Sequence, residues 1–167
     1  MSNNPSWFDW AMNEVGQHEL PENRGPVVQK YIDLAHTGIQ GDPWCAIFVN
    51  AALEANGIIG TRSPSSQSFR HDDDFVPLTG PALGAIAVFW RVSRTSGLGH
   101  VGFYVSETDG YVNTLGGNEG DAVRVELMAK AAGQFGIVGY WWPKTQPLPD
   151  IGAVAYQSGS DIGGKVV

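Results

Sequence analysis

The stretch "AIAVFWRVSRTSGLGHVGFYVS", residues 85–106, decides the fold. Two short runs rich in β-branched and aromatic residues, "AIAVFWR" and "HVGFYVS", flank a Ser- and Gly-rich connection. That is the pattern of two strands separated by a turn. Three further runs of the same kind follow: "YVNTLGG" at 111–117, "AVRVEL" at 122–127 and "IVGYWW" at 137–142. Gly, Asp, Asn or Ser residues punctuate them, so about five strands are expected in an antiparallel sheet.

Upstream the character is helical. Trp7, Trp10, Ala11 and Val15 recur at helical spacing, and Ser6 with Asp9 has the spacing of a capping box. After the polar turn "HELPENRG", Pro26 suits a first helical turn, and Val27, Val28, Tyr31, Ile32 and Ala35 form the apolar face of a second helix ending near Gly38. A third helix is expected to start at Asp42 (N-cap) and Pro43, to bury Phe48, Val49, Ala52 and Leu53, and to end near Asn56-Gly57. The segment 61–84, rich in Ser, Pro, Asp and Gly, reads mostly as a long loop. Helices first and strands afterwards predict an α+β domain rather than alternating βαβ units. Residues 1–144 are expected to form that domain, and 145–167 an extension or linker remnant.

The charge balance, 10 basic against 17 acidic residues for a net −7, offers no basic patch to neutralise phosphates, so nucleic acid is not an expected partner. The longest uncharged apolar run falls far short of the ~20 residues that span a bilayer, so no membrane insertion is expected. The opening "MSNNPSWFDWAMNEVG" lacks the basic-then-apolar pattern of a secretory signal. The expectation is synthesis in the cytoplasm and action after release or delivery.

Chemistry points to the one cysteine, Cys45, which allows no internal disulfide. In the first turn of the third helix it meets unpaired backbone N–H groups and the positive end of the dipole, which favour a thiolate. Taken alone, this placement leaves two readings open, an activated nucleophile or a buried apolar residue. Of the four histidines, His18, His36 and His71 lie in turn-like or loop surroundings and are expected at the surface. His100 opens a strand after the flexible "SRTSGLG", at the rim of the sheet, where an imidazole can meet a helix N-terminus. A histidine base works best when a third group orients it. Asn118 in "GGNEGD" is the leading candidate, with Glu119 and Asp121 competing.

In order along the chain, "DPWCAIFVNAAL", "LGAIAVFWR", "GLGHVGFYVS" and "TLGGNEGDAVRV" resemble the NlpC-type and CHAP cell-wall cysteine hydrolases, closest to a phage-associated subgroup. The resemblance spans roughly residues 6–143. It implies a reduced papain-like fold, with Cys45 as nucleophile, His100 as base and Asn118 as the orienting residue. It places Trp44, Asp42 and Glu119 at the substrate cleft. The implied partner is bacterial peptidoglycan, cut at an amide bond of its peptide by a monomer without a cofactor or metal. The acidic stretch "HDDDF" at 71–75 lacks the spacing of a calcium loop and is expected to be solvated. Two other functions use the same scaffold: a toxin effector or deamidase acting on a different amide, and a catalytically silent binding domain.

Overall fold

A computed structural model describes residues 3–151. Three helices come first: α1 (Ser6–Asn13), α2 (Pro26–Ala35) and α3 (Cys45–Glu54). Seven strands follow, β1 (Phe75–Pro77), β2 (Ile86–Arg91), β3 (Gly99–Glu107), β4 (Tyr111–Glu119), β5 (Ala122–Ala129), β6 (Ala131–Ala132) and β7 (Phe135–Pro143). All pair antiparallel in the order β1-β7-β2-β3-β4-β5, with β6 added beside β7. The α+β architecture and the five long strands match the sequence reading. The supposed loop 61–84 departs from it: it contains a 3-10 turn at Ser68–Arg70 and the strand β1, which at three residues, the last of them Pro77, is too short to carry a period-2 signal.

Helix α3 is the centre of the molecule. Every residue from Cys45 to Leu53 is buried, because α1 and α2 pack on one side and β3 and β4 on the other. A helix covered all round must be apolar all round, and residues 45–53 are, with a single exception. Each of its large side chains Ile47, Phe48, Val49 and Leu53 contributes about 1.5–3 kcal/mol by leaving water. The exception, Asn50, is satisfied by the chain that follows: its Nδ2 donates to Thr61 Oγ1 and Ser63 O (both 3.1 Å), and its Oδ1 accepts from Thr61 N (2.9 Å). A buried amide thereby fixes the course of residues 61–63. Gly117 on β4 lets the sheet approach α3, since a Cβ there would stand 2.7 Å from both Phe48 and the Trp44 ring.

Local capping differs from expectation in two places and agrees in a third. Ser6 is the first residue of α1 behind Pro5, and no side-chain bond caps the helix; Asp9 instead accepts from Asn4 Nδ2 at 3.0 Å. Val15 lies beyond α1 and is exposed. Asp42 does not cap α3: its Oδ2 takes the Ile39 N–H (3.0 Å) within a turn, and the helix begins after Trp44. The end of α3 is as read, with Gly57 left-handed (φ 79°) and the Ile58 N–H bonded back to Leu53 O. Of the C-terminal extension, residues 145–151 follow β7, with Trp142 Nε1 donating to Pro147 O (2.9 Å), and 152–167 lie outside the described residues.

Candidate active site

Cys45 is the first residue of α3, and His100 is the second of β3. The two side chains face each other closely enough for each to shift the other's proton affinity, although 55 positions separate them in sequence. His100 Nε2 lies 2.8 Å from Glu119 Oε2, which leaves Nδ1 for the sulfur. Glu119 is itself held by the Thr114 hydroxyl, donating at 3.1 Å. Cysteine, histidine and carboxylate thus form a line from the helix N-terminus into the sheet.

The electrostatics follow from that line. Burial works against a thiolate at Cys45. The His100 hydrogen bond and charge, with backbone N–H groups of Val101 and Ala46 aimed at the sulfur, outweigh it and hold the thiol below its ordinary range. Burial likewise works against a charged His100, but Cys45 and Glu119 on its two sides push the imidazole up to about 10. Burial raises the Glu119 carboxyl, with His100 and Thr114 opposing. The arrangement favours a thiolate–imidazolium pair.

The position of Glu119 depends on an irregularity in β4. Gly116 pairs with Arg124 and Glu119 with Ala122, so β4 spends three steps where β5 spends two. The extra residue is a bulge, and Asn118 within it is left-handed (φ 58°). Strict alternation would put Asn118 on the face shared by Thr114 and Gly116. The bulge shifts the parity and puts Glu119 there instead. Asn118 makes no hydrogen bond to His100; the side chain bonded to the imidazole is that of Glu119. The carboxylate fits because two glycines make room: a Cβ at Gly116 would come within 2.5 Å of Glu119 Oε2, and one at Gly102 within 3.4 Å.

A cleft of about 280 Å3 opens over the sulfur. Its walls are Asp42 and Pro43 before α3, Pro64–Ser66, Arg91 at the end of β2, and Gly97–Gly99 leading into β3. Cys45 is 7% exposed and lines the cleft, while the His100 side chain, 13% exposed, stands beside the sulfur rather than on the cleft wall. The wall segments are tied in place: Gln67 Nε2 donates to Phe89 O (2.8 Å), and Arg70 Nη1 to Arg94 O (3.0 Å). A Cβ on Gly99 would overlap the Phe89 carbonyl, so glycine is required where β3 enters the site. A larger pocket, about 450 Å3, lies between residues 3–7 and 146–150, away from Cys45, and holds no nucleophile–base pair.

Asp42 lines the cleft. Trp44 does not: it is 0% exposed, stacks on Tyr31 (centroids 5.8 Å apart) and donates its indole N–H to Glu19 Oε1 at 2.7 Å. Its neighbour Cys45 points to the cleft while Trp44 packs behind it, as adjacent residues at a helix start diverge. His18, His36 and His71 are exposed. Asp72 in the acidic stretch accepts the Asp74 N–H (2.8 Å), a turn contact. Thr114, Gly102, Gly116 and Arg91 escaped the sequence reading. The paired glycines of "LGGN" were the available signal, since glycine inside a strand marks a bulge or close approach.

No family model matches the sequence, and no curated protein matches it. Among solved structures, the chain is similar to RipD from Mycobacterium tuberculosis, described as a non-catalytic NlpC/p60 domain protein adapted to peptidoglycan binding. The two are 16% identical with a TM-score of 0.47, over 81% of this chain and 92% of that one.

Proposed function

We propose that this protein is a cysteine hydrolase that cleaves an amide bond in the peptide part of bacterial peptidoglycan. One observation carries the reading: a buried Cys45–His100–Glu119 line whose sulfur lies at the floor of a cleft. A structural cysteine needs neither an imidazole beside it nor a second buried residue to hold that imidazole. The choice of peptidoglycan, and of a lytic enzyme of the phage-associated subgroup, rests on the motif resemblance.

In this mechanism the Cys45 thiolate attacks the amide carbon, and the oxyanion is received by the Cys45 backbone N–H at the start of α3. A donor of this kind contributes about 2.7–4 kcal/mol to the transition state. The imidazolium passes its proton to the leaving nitrogen, the C–N bond breaks, and a thioester remains. Neutral His100 then takes a proton from water, hydroxide oxygen adds to the thioester, and the departing thiolate regenerates the ion pair. Glu119 acts by holding the ring with Nδ1 toward sulfur.

The test is digestion of purified peptidoglycan under reducing conditions, read by new amino groups and by mass spectrometry of the fragments. Wild type should release fragments, and Cys45→Ala and His100→Ala should release none. No release by wild type, or release by Cys45→Ala, overturns the reading. Ammonia released from glutamine peptides in place of wall fragments would identify a deamidase.

A further inference from the structure

The cleft carries one cation with nothing to do inside the protein. We infer that Arg91 is the specificity-determining residue of this cleft and pairs with a free carboxylate of the bound peptide. The inference rests on the proposed hydrolase site and names what that site selects.

Arg91 is set apart from the other cations by its place, as the basic residue that lines the same cleft as Cys45. Lys30, Arg62, Arg124, Lys130 and Lys144 each pair with a Glu or Asp, whereas Arg24, Arg70 and Arg94 form no ion pair among the described residues and do not line the cleft. Among the described residues the Arg91 guanidinium has no ion pair and no hydrogen bond, although it lines the same cleft as Cys45 and is exposed. Asp42, the acidic residue of that cleft, lies outside ion-pair distance of it and accepts the Ile39 N–H.

The backbone beneath this free head group is firmly held. The Arg91 N–H donates to Leu98 O (2.9 Å), the Ser96 hydroxyl donates to Arg91 O (2.5 Å) and Ser93 O (3.0 Å), and the Val92 N–H donates to Gln134 O (2.8 Å). Val92 takes a left-handed conformation (φ 75°), costly for a β-branched residue, to make this turn. A fixed backbone anchor with an uncommitted planar fork suits a carboxylate receptor, since a guanidinium binds a carboxylate through two parallel hydrogen bonds. Pro43, Pro64 and Leu98 form apolar walls nearby, which strengthen the field of an unpaired charge. The carboxylate has two sources in a wall peptide, the C-terminus of a stem or a free carboxyl within it.

The experiment measures binding apart from turnover. The full chain carrying Cys45→Ala is titrated with four synthetic stem peptides: all carboxyls free, only the internal carboxyl amidated, only the C-terminal one amidated, or both amidated. Amidating one of the two should weaken Kd by about tenfold to a hundredfold, the range for a hydrogen-bonded charge pair, and that arm identifies the source. Adding Arg91→Ala should weaken the free peptide by the same factor and abolish the preference, while Arg91→Lys keeps part of it. Equal affinity for all four peptides, no binding at millimolar concentration, or an undiminished preference in Arg91→Ala overturns the inference. An Arg91-dependent preference in a protein whose wild type cuts nothing sinks the hydrolase reading and leaves Arg91 standing. Cutting without preference does the reverse.

Discussion

Replacing Glu119 by Gln removes one charge and almost no volume. Glu119 is 2% exposed, and its Oε2 accepts from both His100 Nε2 and Thr114 Oγ1. Gln keeps an acceptor at that corner, but the bond to the imidazolium is no longer between two charges. Bonds to charged groups contribute about 1.5–3 kcal/mol and neutral ones about 0.5–1.5, so the imidazolium loses about 1–1.5 kcal/mol. That is about one pH unit. The sign follows directly. The ion pair exists between the lowered Cys45 value and the His100 value near 10. Weakening the imidazolium makes His100 release its proton at lower pH and makes the thiolate form at higher pH, so both limbs move inward. The rate of Cys45 alkylation by iodoacetamide against pH reads the acid limb without any substrate, and kcat/KM against pH reads both. Unmoved limbs in Glu119→Gln would refute the argument, because they would mean that Glu119 is already neutral and orients His100 without its charge. Burial does raise that carboxyl, which is what makes the measurement decisive.

Three other substitutions test parts of the geometry. Gly116→Ala places a methyl 2.5 Å from Glu119 Oε2 and should cost about 1–3 kcal/mol in denaturant unfolding together with most activity, whereas Gly110→Ala, whose Cβ meets nothing within 4 Å, should be silent in both. Trp44→Phe loses the bond to Glu19 and leaves space in the core; stability should fall by about 1–3 kcal/mol while KM stays put, and a raised KM with normal stability would return Trp44 to the cleft. Asn118→Gly suits the left-handed bulge and should leave the pH profile of alkylation unchanged; a shift of that profile would restore Asn118 as the orienting residue.

Much of this molecule follows from local pattern. The five long strands announce themselves through β-branched and aromatic runs between turn residues, and the helices through apolar spacing, because each signal lies within a window of a dozen residues. Cys45 and His100 were also legible as a pair, since a helix start and a strand start are identifiable ends of elements. What the linear order does not carry is which way a side chain points after an irregularity. One bulge in β4 exchanges Asn118 for Glu119 beside His100, and a bulge depends on pairing with β5 rather than on its own residues. The burial of Trp44 and the bare guanidinium of Arg91 are of the same kind, for both depend on groups far along the chain. Periodicity determined the elements because backbone sterics act between neighbours. The chemistry of the cleft was decided only when strands and helix packed, because contact, burial and charge pairing are properties of space rather than of sequence distance.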